Sequence, residues 1–370
     1  MDGFEVWNFP INWPELSLIC DLLRRENVFT LGFGTNDVDA YNPLSYCRQN
    51  AYFGNEFMMI ADRNIITRLV ALIKGKAPTS QHRIAAAVMT FAYCADINIE
   101  PNIAIYEVAV NDGNHTANKE LHLFRIADNL PPVYWKNIAL GRQNKNLPRK
   151  LNDLNQEPTH SFDFEIPLRR WRRNYILALK IAELSLRGGK SETRMMELLQ
   201  WMYDDFLIGG PAILLASHYL APNNEREGLL KNLWSPVRDR AILGVQNAAW
   251  DLTILSEWLR QIQIQEQNNT FVLLCSLDKK LIKIANSLVD VLPINNLKAH
   301  FEALWGPEKG HRISNLLEEC RGNANNQDRQ LNREASADFI DRLINEGETF
   351  VRNWKTPSGK STEWPASYAG

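Results

Sequence analysis

Cysteine is scarce in this chain and poorly placed for cross-linking. Its five residues, at 20, 47, 94, 275 and 320, are odd in number and widely spaced, and Cys275 lies inside an apolar run. This excludes a disulfide framework and predicts a reducing compartment, the cytoplasm. There is no CxxC and no close Cys/His cluster, and the seven histidines are dispersed, so a structural zinc site lacks its ligands. Charge of one sign is also missing. A formal net charge of −2 gives no global basic field, which leaves any nucleic-acid contact to a local patch. Long apolar runs are absent as well: IGGPAILLASHYLA is too short to span a bilayer and contains Pro211 and His218. The opening MDGFEVWNFPINWPEL lacks the basic and apolar segments of a secretory leader, and no membrane association is expected.

Familiar chemical signatures are lacking too. No GxSxG, HExxH or GxGxxG occurs. Two GKS tripeptides, at 189–191 and 359–361, fail as phosphate loops, because Leu184 and Trp354 stand where the first glycine is required. NHT at 114 and NNT at 268 match a glycosylation acceptor, which has no use in a reducing compartment.

What is present is an ordinary globular composition, 45% hydrophobic and 23% charged over 370 residues, enough for one elaborated domain or two. Residues 1–50, rich in Asn, Pro and aromatics with one helix near PELSLICDLLRR, read as an N-terminal extension. From Phe57 an apolar strand, a helix, the helix RIAAAVMTFAYCA and the short strand INIEP form a βαβ pattern, the mark of an α/β fold. Residues 112–160 are polar. From about 168 the spacing turns helical in YILALKIAELSL, MMELLQWMYDDFL, AILLASHYLA and NAAWDLTILSEWLRQIQIQ, which predicts a helical insertion at about 112–240 inside a domain spanning 51–294. The sheet is expected to resume at TFVLLCSLD and again at SLVDVLPI. Residues 295–370 read as a helical C-terminal extension whose tail, rich in Ser, Gly and Pro, is loosely held.

Two apolar strands end in aspartate and feed a helix: FMMIAD at Asp62 and FVLLCSLD at Asp278. Each aspartate has a plain explanation as a helix N-cap. Ligands of parallel sheets, however, bind beyond the strands' carboxyl ends, and two carboxylates there would repel unless a cation held them. Glu107 follows the second strand among apolar residues, where an unpaired carboxylate is costly. Asp251 interrupts the apolar stripe of Leu252, Leu255, Trp258 and Leu259. Taken singly, each of the four reads more readily as a cap, an ion pair or a solvated face.

In their order, these residues resemble the PIN-domain nucleases. That family ends its first strand in D-x-N, as Asp62 and Asn64 do, and follows its second strand with Glu, as Glu107 does. It places a further Asp on a helix leading into a later strand, as Asp251 does, and ends that strand in T/S-x-D, as Ser276 and Asp278 do. The resemblance covers about residues 55–110 and 240–295. It implies a three-layer α/β core with a central parallel sheet and a metal-dependent phosphodiesterase, cutting RNA before DNA, of toxin or anti-phage type. It also implies Mg²⁺ or Mn²⁺ held by Asp62, Glu107, Asp251 and Asp278, with Asn64 and Ser276 in support. Asp239 and Asp205 remain alternatives to Asp251, given the long stretch after Glu107.

A basic run, RRWRRNY, groups Arg169, Arg170, Arg172 and Arg173 around Trp171, and LPRK at 147–150 precedes it. Arginine suits phosphate and an aromatic suits stacked bases, so nucleic acid is one reading. Pairing of these arginines with Glu165 or Glu183 is the other. An inhibitory or activating protein partner and a homo-oligomer both remain open. Two rival readings stand beside the nuclease. One is a non-enzymatic interaction module on an α/β core. The other is phosphatase-type chemistry on a strand-end aspartate, weakened because Asn64 occupies the position of the second acid.

Overall fold

In a computed structural model of the chain, which describes residues 7–33, 38–142, 161–166, 168–222, 228–291, 296–323 and 337–355, the two apolar runs ending in aspartate are neighbouring parallel strands. The first half of the chain runs α1 (Trp13–Glu26), β1 (Phe29–Leu31), α2 (Pro43–Phe53), β2 (Glu56–Ala61), α3 (Arg63–Ile73), α4 (Ser80–Cys94) and β3 (Ile97–Glu100). Four helices follow: α5 (Asn102–Asp112), α6 (Asn114–Asp128), α7 (Pro132–Ala139) and α8 (Arg169–Arg187). After them come α9 (Ser191–Asp204), α10 (Gly210–Leu220), α11 (Arg238–Asn268) and β4 (Thr270–Cys275). The chain closes with α12 (Lys279–Val291), α13 (Leu297–Trp305), α14 (Pro307–Asn323) and α15 (Ala337–Asn353).

The described residues form an α/β protein with a four-stranded open sheet and 15 helices. Strand order is β1-β4-β2-β3; β2 is parallel to β3 and β4, and β1 is antiparallel to β4. The sheet is therefore mixed, which corrects the expected all-parallel arrangement. Residues 29–31, read as part of an N-terminal extension, supply its antiparallel edge. The described part of SLVDVLPI, Ser287–Val291, is helix and not strand: it continues α12, whose apolar residues Leu281, Ile284, Ala285 and Leu288 recur at helical spacing, and residues 292–294 lie outside the described residues.

The central strands are apolar throughout because both faces are covered. On one face Phe57, Met59 and Ala61 of β2 and Leu273 and Cys275 of β4 join a core built from α1 to α7. On the other, Ile60 of β2 and Val272 and Leu274 of β4 join a core built from α8 to α15. Successive side chains thus alternate between two cores, as a strand's period of two demands. The five cysteines are free thiols. Among the described residues no helix is long and apolar enough to cross a membrane. The LPRK segment and the tail from 356 onward, including the second GKS, lie outside the described residues.

Candidate acidic site

Register brings the two strand ends together. Ala61 pairs with Cys275, and the Asp62 backbone N–H donates to the Cys275 carbonyl at 2.9 Å, so Asp62 stands beside Ser276. The Ser276 hydroxyl donates to Asp62 Oδ2 at 2.6 Å and accepts from the Asp278 backbone N–H at 2.9 Å. Asn64 closes the connection: its Nδ2 donates to Ser276 Oγ at 3.0 Å and also to Asp62 Oδ2, and its Oδ1 accepts from the Leu277 N–H at 3.0 Å. The D-x-N and S-x-D tripeptides therefore form one hydrogen-bonded unit across β2 and β4.

The two aspartates differ in role. Asp278 caps α12, its Oδ1 accepting from the Lys280 and Leu281 N–H groups at 2.9 and 3.3 Å, which leaves Oδ2 for another partner. Asp62 occupies the N-cap position of α3, yet its side chain makes no cap bond there. Its carboxyl is raised above the usual range by burial, with the Ser276 hydrogen bond opposing and Asp278 adding to the rise.

Asp251 reaches the same place through a long lever. Helix α11 runs for 31 residues, about 46 Å at 1.5 Å per residue, and packs on β4 and α5. Trp258 is fully buried, and its Nε1 donates to the Val272 carbonyl at 3.2 Å. This contact fixes the helix's rotation near the start of β4. Asp251 lies two turns earlier on the same face, about 10 Å back along the helix; three strand residues cover about the same distance from Val272 to Cys275. Asp251 therefore stands level with the strand ends. Among the described residues its side chain accepts no hydrogen bond and joins no ion pair. Burial pushes its carboxyl well above the usual range, Asp62, Asp278 and Glu107 push it further, and Lys231 opposes them.

Glu107 arrives on α5, its Oε1 held by Arg63 at 3.2 Å. Burial raises its pKa to about 7 against the pull of Arg63, and Asp62 adds to the rise. Among the described residues no group of three or more His, Cys, Asp or Glu side chains is arranged to hold an ion as it stands. The four acids act on one another electrostatically without forming such a group. Neither alternative acid joins them: Asp239 pairs with Arg352, and Asp205 ends α9.

Sequence reasoning passed over the cations of the site. Arg63 follows Asp62 directly and bridges Glu107 and Asp112, both at 3.2 Å. Lys231 precedes α11, and its backbone lies against Gly244, where an added Cβ would stand 1.6 Å from the Lys231 carbonyl oxygen. Gly244 is again two turns from Asp251, so one helix face carries the glycine, the acid and Trp258. A lone glycine inside an otherwise helical pattern was the available signal.

The basic run is largely engaged within the protein. Arg170 pairs with Glu257 and Arg172 with Asp341, in place of the expected Glu165 or Glu183. Trp171 stacks on Tyr175 at 5.0 Å and packs against Trp250 at 5.4 Å. Comparison with known proteins returns nothing that matches this chain: no family model, no curated protein and no solved structure.

Proposed function

We propose that the chain is a metal-dependent phosphodiesterase, with RNA as its first substrate and DNA as its second, acting at the carboxyl ends of β2 and β4. One observation carries the reading: four acids from four separate segments act on one another electrostatically, and the half-buried Asp251 side chain has no hydrogen bond or ion pair among the described residues. Such a group is costly unless it is neutralised, and hard carboxylate oxygens suit Mg²⁺ or Mn²⁺. Asp62, Glu107, Asp251 and Asp278 would hold the ion. When bound, it would activate a water and stabilise negative charge on the scissile phosphate.

The chain's own groups have separate tasks. Ser276 and Asn64 orient Asp62. Arg63 holds Glu107 and limits its protonation. Lys231, facing the acids from outside, is a point charge suited to a phosphate oxygen. A role as a toxin or anti-phage effector, in the cytoplasm and under an inhibitory or activating protein partner, completes the proposal.

The test is a melt of the parent and Asp251→Asn, each with chelator and with saturating Mn²⁺, beside an RNA cleavage assay. At about one hundred times its dissociation constant the ion should stabilise the parent by roughly 2.7 kcal/mol. Asp251→Asn should lose both this shift and cleavage. A parent that neither gains stability nor cleaves RNA sinks the proposal. The rival reading, a non-enzymatic interaction module, draws support from the cap role of Asp278 and the internal pairing of Arg170 and Arg172. It predicts no effect of Mn²⁺ in either protein.

A further inference from the structure

Away from the acids, β3 forms an edge of the sheet, bonded among the described residues to β2 alone. In a strand the N–H and C=O of successive residues point to opposite sides, so alternate residues of Ile97–Glu100 present backbone groups outward. A cavity of about 400 Å³ lies there. Ile97, Asn98 and Ile99 all line it. Side chains on one strand alternate between faces, so three consecutive residues can border one cavity only if it lies along the strand's edge. Opposite the edge, Leu130 from the α6–α7 turn, Trp135 from α7 and Tyr93 from α4 complete a groove. Trp135 is fixed, its Nε1 donating to the Ala127 carbonyl at 3.1 Å, whereas Tyr93 is 57% exposed.

Two acids line the same groove. Neither Asp96 nor Asp128 has an ion-pair partner among the described residues, and no lysine or arginine lines the cavity. Solvent still reaches Asp128, yet crowding on its inner side raises its carboxyl with no cation to offset it. Asp96 sits in the left-handed region at φ 54, which fixes where the strand begins.

The geometry points to an extended basic peptide segment of a protein partner, added as a fifth strand beside β3. The open edge supplies main-chain hydrogen bonds, the apolar wall takes alternate side chains, and Asp96 and Asp128 select lysine or arginine. This groove is independent of the chemistry assigned to the acidic site.

The probe is a fluorescein-labelled heptapeptide of alternating Lys and Val, blocked at both ends, titrated into the full chain. Two control peptides carry Glu in place of Lys, or N-methyl groups on alternate amides. Saturable binding is expected, with protection of outward amides in 97–100 from hydrogen exchange. Asp96→Asn with Asp128→Asn should weaken it about tenfold, as loss of partly screened charge pairs predicts. Asn tolerates the left-handed backbone at 96, so folding is preserved. Absence of saturable binding overturns the inference, as does equal binding of either control or protection elsewhere in the chain. Protection of 97–100 that rises with protein concentration alone would make a second copy the occupant and also overturn it.

Discussion

The ends of β2 and β4 look alike in sequence and behave differently in the fold. Both strands are apolar and covered on both faces, and both stop at an acid that opens a helix. At β4 the acid does what a helix start asks: Asp278 accepts two N–H groups of α12. At β2 it does not. Asp62 bonds no backbone N–H of α3 through its side chain but accepts from the Ser276 hydroxyl and the Asn64 side chain, and burial raises its proton affinity. A capping aspartate is sustained by its own helix. An aspartate that leaves its cap position needs another source of stabilisation, and here Ser276 and Asn64 supply two hydrogen bonds while Asp278 opposes them.

The comparison breaks most visibly in activity. Outer partners of metal ligands commonly cost about 10–100-fold when removed, so Asp62→Asn and Asp251→Asn should each cost more than that in RNA cleavage with Mn²⁺. Equal cleavage by parent and variants would reduce the site to an electrostatic accident.

Next in size is pH. The folded-state carboxyls of Asp62, Asp251 and Glu107 are all raised, so the folded protein binds more protons than the unfolded chain above their ordinary range. Their stabilisation is present at low pH and is lost as pH rises; for Glu107 the loss runs from about 4.5 to about 7. Over that window Glu107 alone contributes on the order of 3 kcal/mol as an upper bound. Metal-free melts should show this decline, and Glu107→Gln should flatten it. Saturating Mn²⁺, which needs the deprotonated acids, should reverse the slope. A metal-free slope of the opposite sign would remove the crowding on which the comparison rests.

Gly244→Ala tests the cation opposite the acids. Its Cβ would meet the Lys231 carbonyl at 1.6 Å, so the loop must move, at about 1–3 kcal/mol by analogy with overpacked cores. With Lys231 displaced, the raised proton affinities should rise further, and the metal-free decline should extend to higher pH. A variant with unchanged stability and pH profile would show that Lys231 is not held there.

The smallest effect contrasts the two aspartates directly. Asp278→Ala should cost about 0.5 to 2 kcal/mol of metal-free stability, the value of a cap, and Asp278→Asn should cost little. Asp62→Asn removes no cap bond, keeps an acceptor for Ser276 and Asn64 and relieves repulsion, so the metal-free variant should be as stable as the parent or more so. Chemical denaturation in chelator measures all three. Equal losses at 62 and 278 would make the two strand ends equivalent.

Much of this was legible in the chain. The runs EFMMIA and TFVLLC and the helical spacing after each follow from side-chain periodicity, which is local, whereas Asp62, Glu107, Asp251 and Asp278 are grouped only by their resemblance to the PIN-domain pattern. β1 was not legible, because three residues among asparagines and aromatics carry no period. SLVDVLPI misled because a short apolar run fits a strand or a buried helix equally well.

Composition and periodicity by themselves determined the α/β class, the two covered strands and which acids stand at strand ends. Only the tertiary structure decided the roles of those acids. Capping depends on where a side chain turns, and Asp62 turns away because the register of β2 against β4 sets Ser276 beside it. The level of Asp251 depends on Trp258 docking at Val272, a contact between a helix and a strand that no local pattern encodes. The arginine run met Glu257 and Asp341, far along the chain, because partners in an ion pair are chosen by packing. Proton affinity was the last property to be decided, since it depends on burial and on charges that only folding brings within reach.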